Sequence, residues 1–161
     1  MSFNLTEYCL FDDNVFKACK KLSSRCDVVL EFTETSLFSD SKINEKMMEY
    51  RYYGIKFAID DYGTGCSSLH YLVDYKFDYL KIDKCFIDGI CFDNKSQFVL
   101  EYVCTLAKKL NIKIIPEGVE SQCQQAALAQ YDVHYYQGFL FSKPVPLSVY
   151  FSSLQGKTLP A

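Results

Sequence analysis

The chain has 161 residues, is 49% hydrophobic and 16% aromatic, and carries a net charge of −3 with two arginines, Arg25 and Arg51. That length and apolar content sustain one domain with its own core and exclude a disordered chain. The acidic balance supplies no basic stripe for the backbone of a DNA or RNA polymer.

The elements expected in chain order alternate. A strand over Ser2 to Thr6 comes first. Asp12 or Asp13 then caps a helix carrying Val15, Phe16, Ala18, Cys19 and Leu22. Asp27 to Phe32 has the pattern of a buried strand. A helix follows with Ile43, Met47, Met48 and Tyr50, closed near Gly54. Ile55 to Ile59 is a strand, and Ser67 to Val73 a short helix. Asp78 to Ile82 is a strand, Phe98 to Leu110 an amphipathic helix, and Ile112 to Ile115 a strand ending at Pro116. Ser121 caps a helix to about Gln130. Val133 to Tyr136 is the last strand, and Leu147 to Leu154 a final helix. These are about six strand–helix units, which argues for parallel pairing. Two architectures satisfy that pattern, a doubly wound sheet and a (β/α)8 barrel; a full barrel takes ~250 residues, about two units more than this chain has.

Eight cysteines stand at 9, 19, 26, 66, 85, 91, 104 and 123, with no C-x-x-C pair, and the two histidines are His70 and His134. Zinc-type ligand spacing is missing. No charged-then-apolar leader opens the chain, and no apolar run approaches the ~20 residues of a membrane span. The expectation is a cytoplasmic protein with reduced, mostly buried thiols, Cys85 and Cys91 serving packing rather than redox chemistry.

Asp60 and Asp61 are the most informative residues. An apolar strand ends in two adjacent carboxylates, followed by the glycine-rich turn Gly63-Thr64-Gly65. Adjacent carboxylates repel, and a divalent cation removes the objection; a solvated turn is the plainer alternative. The other strand ends weigh against it. Asn4, Glu31, Lys81, Glu117 and Gln137 all stand at or just past a strand's C-terminal end, the face where parallel α/β folds place chemistry. Oxygen donors of this kind suit Mg²⁺ or Mn²⁺, one ion or two. Lys81 would hold a water or a phosphate oxygen. Glu117 would be a metal ligand or a proton acceptor, and Gln137 would orient the water.

At these residues the sequence resembles the EAL family of cyclic di-GMP phosphodiesterases. Glu31-Phe32-Thr33-Glu34 resembles its E-[LIF]-T-E motif, Ala58 to Leu69 its D-D-F-G-T-G-x-S-S-L loop, and Leu80 to Asp83 its L-K-I-D strand. Pro116 to Glu120 is similar to A-E-G-V-E, Tyr136 to Pro144 to the Q-G-Y-x-[FL]-S-K-P ending, and Asn4-Leu5-Thr6 to N-x-[ST]. The resemblance implies a modified TIM barrel that opens cyclic di-GMP to pGpG with Mg²⁺ or Mn²⁺. It implies metal ligands at Asn4, Glu31, Asp60, Asp61 and Glu117. Lys81 would position the catalytic water, Glu117 would be the catalytic glutamate, and Gln137 would join the water network. Glu34 would steady the Asp-Asp loop, and Glu120 would support the pocket.

One family feature does not occur in the chain, the E-x-L-x-R strand that gives the family its name and a metal-ligand glutamate. Residues 1–155 are therefore expected to form an incomplete EAL domain from the third barrel strand onward, with 156–161 a frayed tail. An open sheet implies unpaired edges, and hence a homo-oligomer or a completing protein partner. Three functions follow as expectations: a phosphodiesterase impaired by truncation, a non-catalytic module binding cyclic di-GMP or a partner protein, or a remnant with no function.

Overall fold

The computed structural model describes residues 1–33, 41–63, 69–131, 133 and 135–154. Five strands form one sheet: β1 (Ser2–Asn4), β2 (Val29–Thr33), β3 (Lys56–Tyr62), β4 (Tyr79–Ile82) and β5 (Lys113–Pro116). All neighbours are parallel, and the strands lie in sequence order, β1 to β5. A doubly wound sheet reverses its order at a switch point. This sheet does not, so of the two architectures the sequence allowed, the chain takes the barrel type, as an incomplete (β/α) barrel.

Eight helices occur among the described residues: α1 (Glu7–Leu10), α2 (Asp13–Ser23), α3 (Ser41–Tyr52), α4 (Leu69–Asp74), α5 (Lys84–Asp88), α6 (Asn94–Leu110), α7 (Gln122–Leu128) and α8 (Leu147–Leu154). Their starts are chemically marked. Asp12 accepts from the backbone N–H groups of Asn14 and Val15 to cap α2, and Asp93 accepts from Lys95 and Ser96 to cap α6. Ser121 and Gln124 form a reciprocal capping box on α7.

The period-2 alternation of the strands sorts the molecule into two faces. Leu30 and Phe32, Phe57 and Ile59, and Leu80 and Ile82 enter one core cluster with helix residues including Leu10, Met47, Tyr50 and Leu100. Phe32 stacks on Phe57 at 6.0 Å, and Tyr50 meets Phe57 edge-on at 6.1 Å. The alternate positions, Glu31, Asp60 and Lys81, are thereby committed to the opposite face.

Three expectations are corrected. Val133 to Tyr136 is not a strand: Val133, Tyr135 and Tyr136 lie outside any ladder, and residue 134 is not among those described. The reason is local. Gln137 donates its backbone N–H to Pro116 and accepts from Val119, but the N–H of Leu140 then donates to the Val119 carbonyl, turning the chain away from β5 at Gly138. The unit count is accordingly five strands rather than six. Finally, Cys91 and Cys123 form a disulfide, so the thiols are not all reduced; their Cα atoms stand 6.3 Å apart, within bridging range. A separation of 32 residues gave no sign of it. Helices α1 and α5 were not foreseen; each is five residues or fewer. Among the described residues, no helix is long and apolar enough to cross a membrane.

Candidate metal centre and active site

Lys81 is the centre of the site. Its ammonium lies 2.8 Å from Glu117 Oε1, 2.9 Å from Asp60 Oδ1 and 2.9 Å from Glu31 Oε2. Four strands build this. β2 supplies Glu31, β3 supplies Asp60, β4 supplies Lys81, and Glu117 follows β5 directly, its N–H donating to the Ile82 carbonyl. Lys81, Glu31 and Asp60 are 5%, 8% and 8% exposed, so this is an interior ionic cluster and not a solvated face.

Asp61 joins the group by a backbone irregularity. Ordinary alternation would send Asp60 and Asp61 to opposite faces of the sheet. Between Ile59 and Tyr62, β3 advances three residues while β4 advances two, from Leu80 to Ile82. That is a β-bulge, a device that re-aims side chains beside functional sites. Asp61 takes φ 55°, the left-handed region that a non-glycine residue seldom enters. As a result, carboxylate oxygens of Asp60, Asp61 and Glu117 lie within 4.8 Å of one another.

Four carboxylates therefore share one ammonium, and the protonation behaviour records the surplus. Burial opposes the charge on Lys81, but its hydrogen bonds to Glu117, Asp60 and Glu31 overcome this and hold it above the usual lysine range. Burial pushes the Glu117 carboxyl up, Lys81 pulls against it, and Asp60 and Asp61 add to the rise. Burial also raises Asp61, followed by repulsion from Asp60 and Asp83. Oxygen-only donors with excess negative charge fit a hard divalent cation, the species that reverses those upward shifts.

The turn that carries Glu117 is held from several sides. Gly118 sits at φ 66°, and a Cβ there would strike the Lys84 side chain. The N–H groups of Glu120 and Ser121 both donate to Gln124 Oε1, at 2.8 and 2.9 Å. Gly138 rests directly on the Val119 backbone, where a Cβ would overlap main-chain atoms.

The remaining expected residues are spread out. Asn4 is exposed, in register with Glu31 on the neighbouring strand. Gln137 is exposed and reaches the β5 end through its backbone. Glu120 turns to Lys84, 3.2 Å away, which fits support rather than chemistry. Gly63 has φ 98° and lies against the Phe86 ring, so the turn requires glycine. Glu34, Thr64 and Gly65 lie outside the described residues, as does the 156–161 tail. Sequence reasoning did not give Asp83 or Gln124 a role. Asp83 stands two residues past Lys81, and the Ser121-x-x-Gln124 spacing is a readable capping-box signal.

The family and the fold both have known relatives. The chain matches the EAL domain family over residues 1–144. It is 31% identical over 152 residues to cyclic di-GMP phosphodiesterase PdeR of Escherichia coli, covering 91% of this chain and 23% of that protein's length. The fold is similar to the EAL domain of Mycobacterium smegmatis DcpA, with TM-score 0.87 and 27% identity, over 99% of this chain and 74% of that one. It is also similar to Klebsiella pneumoniae BlrP1 in its manganese and cyclic di-GMP complex, with TM-score 0.77 and 27% identity, over 89% of this chain and 38% of that one. A match that takes in nearly every strand and helix described above, together with the carboxylate cluster at the strand ends, means that the chain belongs to the EAL domain family.

Proposed function

We propose that the chain is the larger part of the EAL domain of a metal-dependent cyclic di-GMP phosphodiesterase, one that hydrolyses the cyclic dinucleotide to pGpG in the cytoplasm. The observation that carries this reading is the buried convergence of Glu31, Asp60 and Glu117 on Lys81, with Asp61 turned into the same group by the bulge. Asp60, Asp61 and Glu117 would hold Mg²⁺ or Mn²⁺, with Glu31 and Asn4 the further ligands. When bound, such an ion neutralises phosphate oxygens and acidifies water.

The chain's own residues set the rest. An ammonium has three N–H donors, and Lys81 has three carboxylates around it. Lys81 holds a water or a phosphate oxygen only after releasing one of them. Glu117 keeps one oxygen on Lys81 and takes the proton of the attacking water on the other. Gln137 orients the water beside Pro116.

A second reading, a non-catalytic module that binds cyclic di-GMP or a partner protein, is favoured by one observation. Lys81 itself sits between Glu31, Asp60 and Glu117 and offsets part of their charge, so the group holds together around an ammonium. Turnover of cyclic di-GMP by the purified chain with Mn²⁺ separates the two. Hydrolysis to pGpG that falls at least ~100-fold in Glu117→Gln supports the enzyme. No turnover from a cooperatively folded sample overturns it in favour of the binding module.

A further inference from the structure

We propose that Cys91 and Cys123 form a reversible thiol–disulfide site whose state sets how firmly the turn carrying Glu117 is held. The bridge links the segment after α5 to the first turn of α7. These are the outgoing connections of β4 and β5, the strands that deliver Lys81 and Glu117. On the α7 side, Cys123 is next to Gln124, whose Oε1 accepts from Glu120 and Ser121, three and four residues past Glu117. On the other side, Ile90 is fully buried and its carbonyl accepts from Gln97 Nε2 of α6 at 2.8 Å. The Cys91 end is therefore anchored in the core, and the bridge transmits that anchorage to α7 and to the turn before it. Among the bonds described, the other links between the same two connections are weaker or more exposed: Gln124 Nε2 to the Ile87 carbonyl at 3.4 Å, Tyr131 Oη to the Gln97 carbonyl at 3.4 Å, and the exposed ion pair of Lys84 with Glu120 at 3.2 Å.

The site is reachable. Cys123 is exposed and Cys91 half-buried. In a reducing compartment such a pair cycles rather than persists. The Cys123 thiolate attacks one sulfur of a small-molecule disulfide such as oxidised glutathione, forming a mixed disulfide and expelling one thiolate. The Cys91 thiolate then attacks the Cys123 sulfur and expels the second. The protein loses two thiol protons and two electrons, and the small disulfide leaves as two thiols.

The proposal rests on the Glu117 site described above, and its test does not depend on turnover. The protein is equilibrated in oxidised or in reduced glutathione. The Cys91–Cys123 bond is read by mass spectrometry after thiol alkylation, and amide hydrogen exchange is followed over residues 117–124. The expected result is a bond that forms and breaks with the buffer, with exchange in that segment ~10-fold or more slower in the disulfide form. Cys123→Ser should abolish the difference. Equal exchange in the two forms, or no bond in oxidised glutathione, overturns the proposal. Both forms are the unaltered protein, so no folding defect of a variant can obscure the answer.

Discussion

Strand β4 has an ion pair at each end, half-buried before the strand and buried at its far end, and the two are built on opposite principles. Just before the strand, Arg51 meets Asp78 in a two-pronged pair, Nη1 to Oδ1 at 3.0 Å and Nη2 to Oδ2 at 2.8 Å. Asp78 Oδ2 also accepts from the Phe57 backbone at 2.9 Å, and Arg51 reaches the Lys76 carbonyl. One cation faces one anion, and the result ties α3 to the entries of β3 and β4. At the far end, Lys81 faces Glu31, Asp60 and Glu117, with Asp61 beside them. The first arrangement is balanced and geometrically specific, as a structural lock should be. The second keeps a charge surplus that folding alone does not require, and that surplus is what the proposed function draws on.

The largest effect should come from removing the Lys81 ammonium at the crowded end. Lys81→Met leaves two buried carboxylates, Glu31 and Asp60, and the half-buried Glu117 facing one another. Loss of one partner of a buried ionic cluster costs about 3–5 kcal/mol. Urea unfolding at pH 7 should show a loss in that range, and Mn²⁺ should raise the midpoint of the variant more than that of the parent. A loss below about 1 kcal/mol would mean that the carboxylates protonate or separate freely, and the picture of an enforced surplus would fail.

Arg51→Met tests the balanced end. It strands one carboxylate that is still a quarter exposed and keeps its bond to Phe57 N–H. The expected loss is about 1.5–3 kcal/mol, the range for hydrogen bonds to a charged group. Mn²⁺ should give no selective rescue, since this pair lies at the opposite strand end. Equal rescue of both variants would erase the distinction between the two ends.

How much of this was legible in the sequence follows from the same contrast. Glu31 and Lys81 stand out because each interrupts an apolar strand at the position that alternation assigns to the non-helical face. Glu117 stands out because it follows an apolar strand directly. Local pattern is enough for these. The sequence also led to a sixth strand at Val133 to Tyr136, where aromatic and β-branched residues favour extension. Tertiary demands override that preference: Tyr135 packs edge-on against Tyr79 at 5.8 Å, Tyr136 lies 5.8 Å from Phe141, and Gly138 forces a turn against Val119. The bulge at Asp60-Asp61 was also hidden, because register is a relation between two strands and neither strand's sequence records it. The Cys91–Cys123 bridge was hidden for the same reason, as its partners meet only once the connections after β4 and β5 are folded side by side.

The smallest stability effect, and the one that divides function from folding, is expected from Glu117→Gln. This change removes one negative charge from the surplus while keeping size and one hydrogen-bond acceptor for Lys81. The fold disfavours ionised Glu117, because burial first, and Asp60 and Asp61 next, raise its carboxyl above the ordinary value against the pull of Lys81. A carboxyl raised on folding binds its proton more tightly in the native state. Its contribution is therefore fully present below the unfolded value of about 4.3 and is lost as pH rises through the higher folded value. The glutamine variant has no such loss. Across that window the parent's stability should fall relative to the variant's, and at pH 7 the variant should be within about 1 kcal/mol of the parent or more stable. Urea unfolding between pH 4 and pH 8 measures this directly. A variant clearly less stable at pH 7 would show that Glu117 is held in place for the ion pair with Lys81 rather than against its own charge, and the site would then resemble the Arg51–Asp78 lock at the other end of the strand.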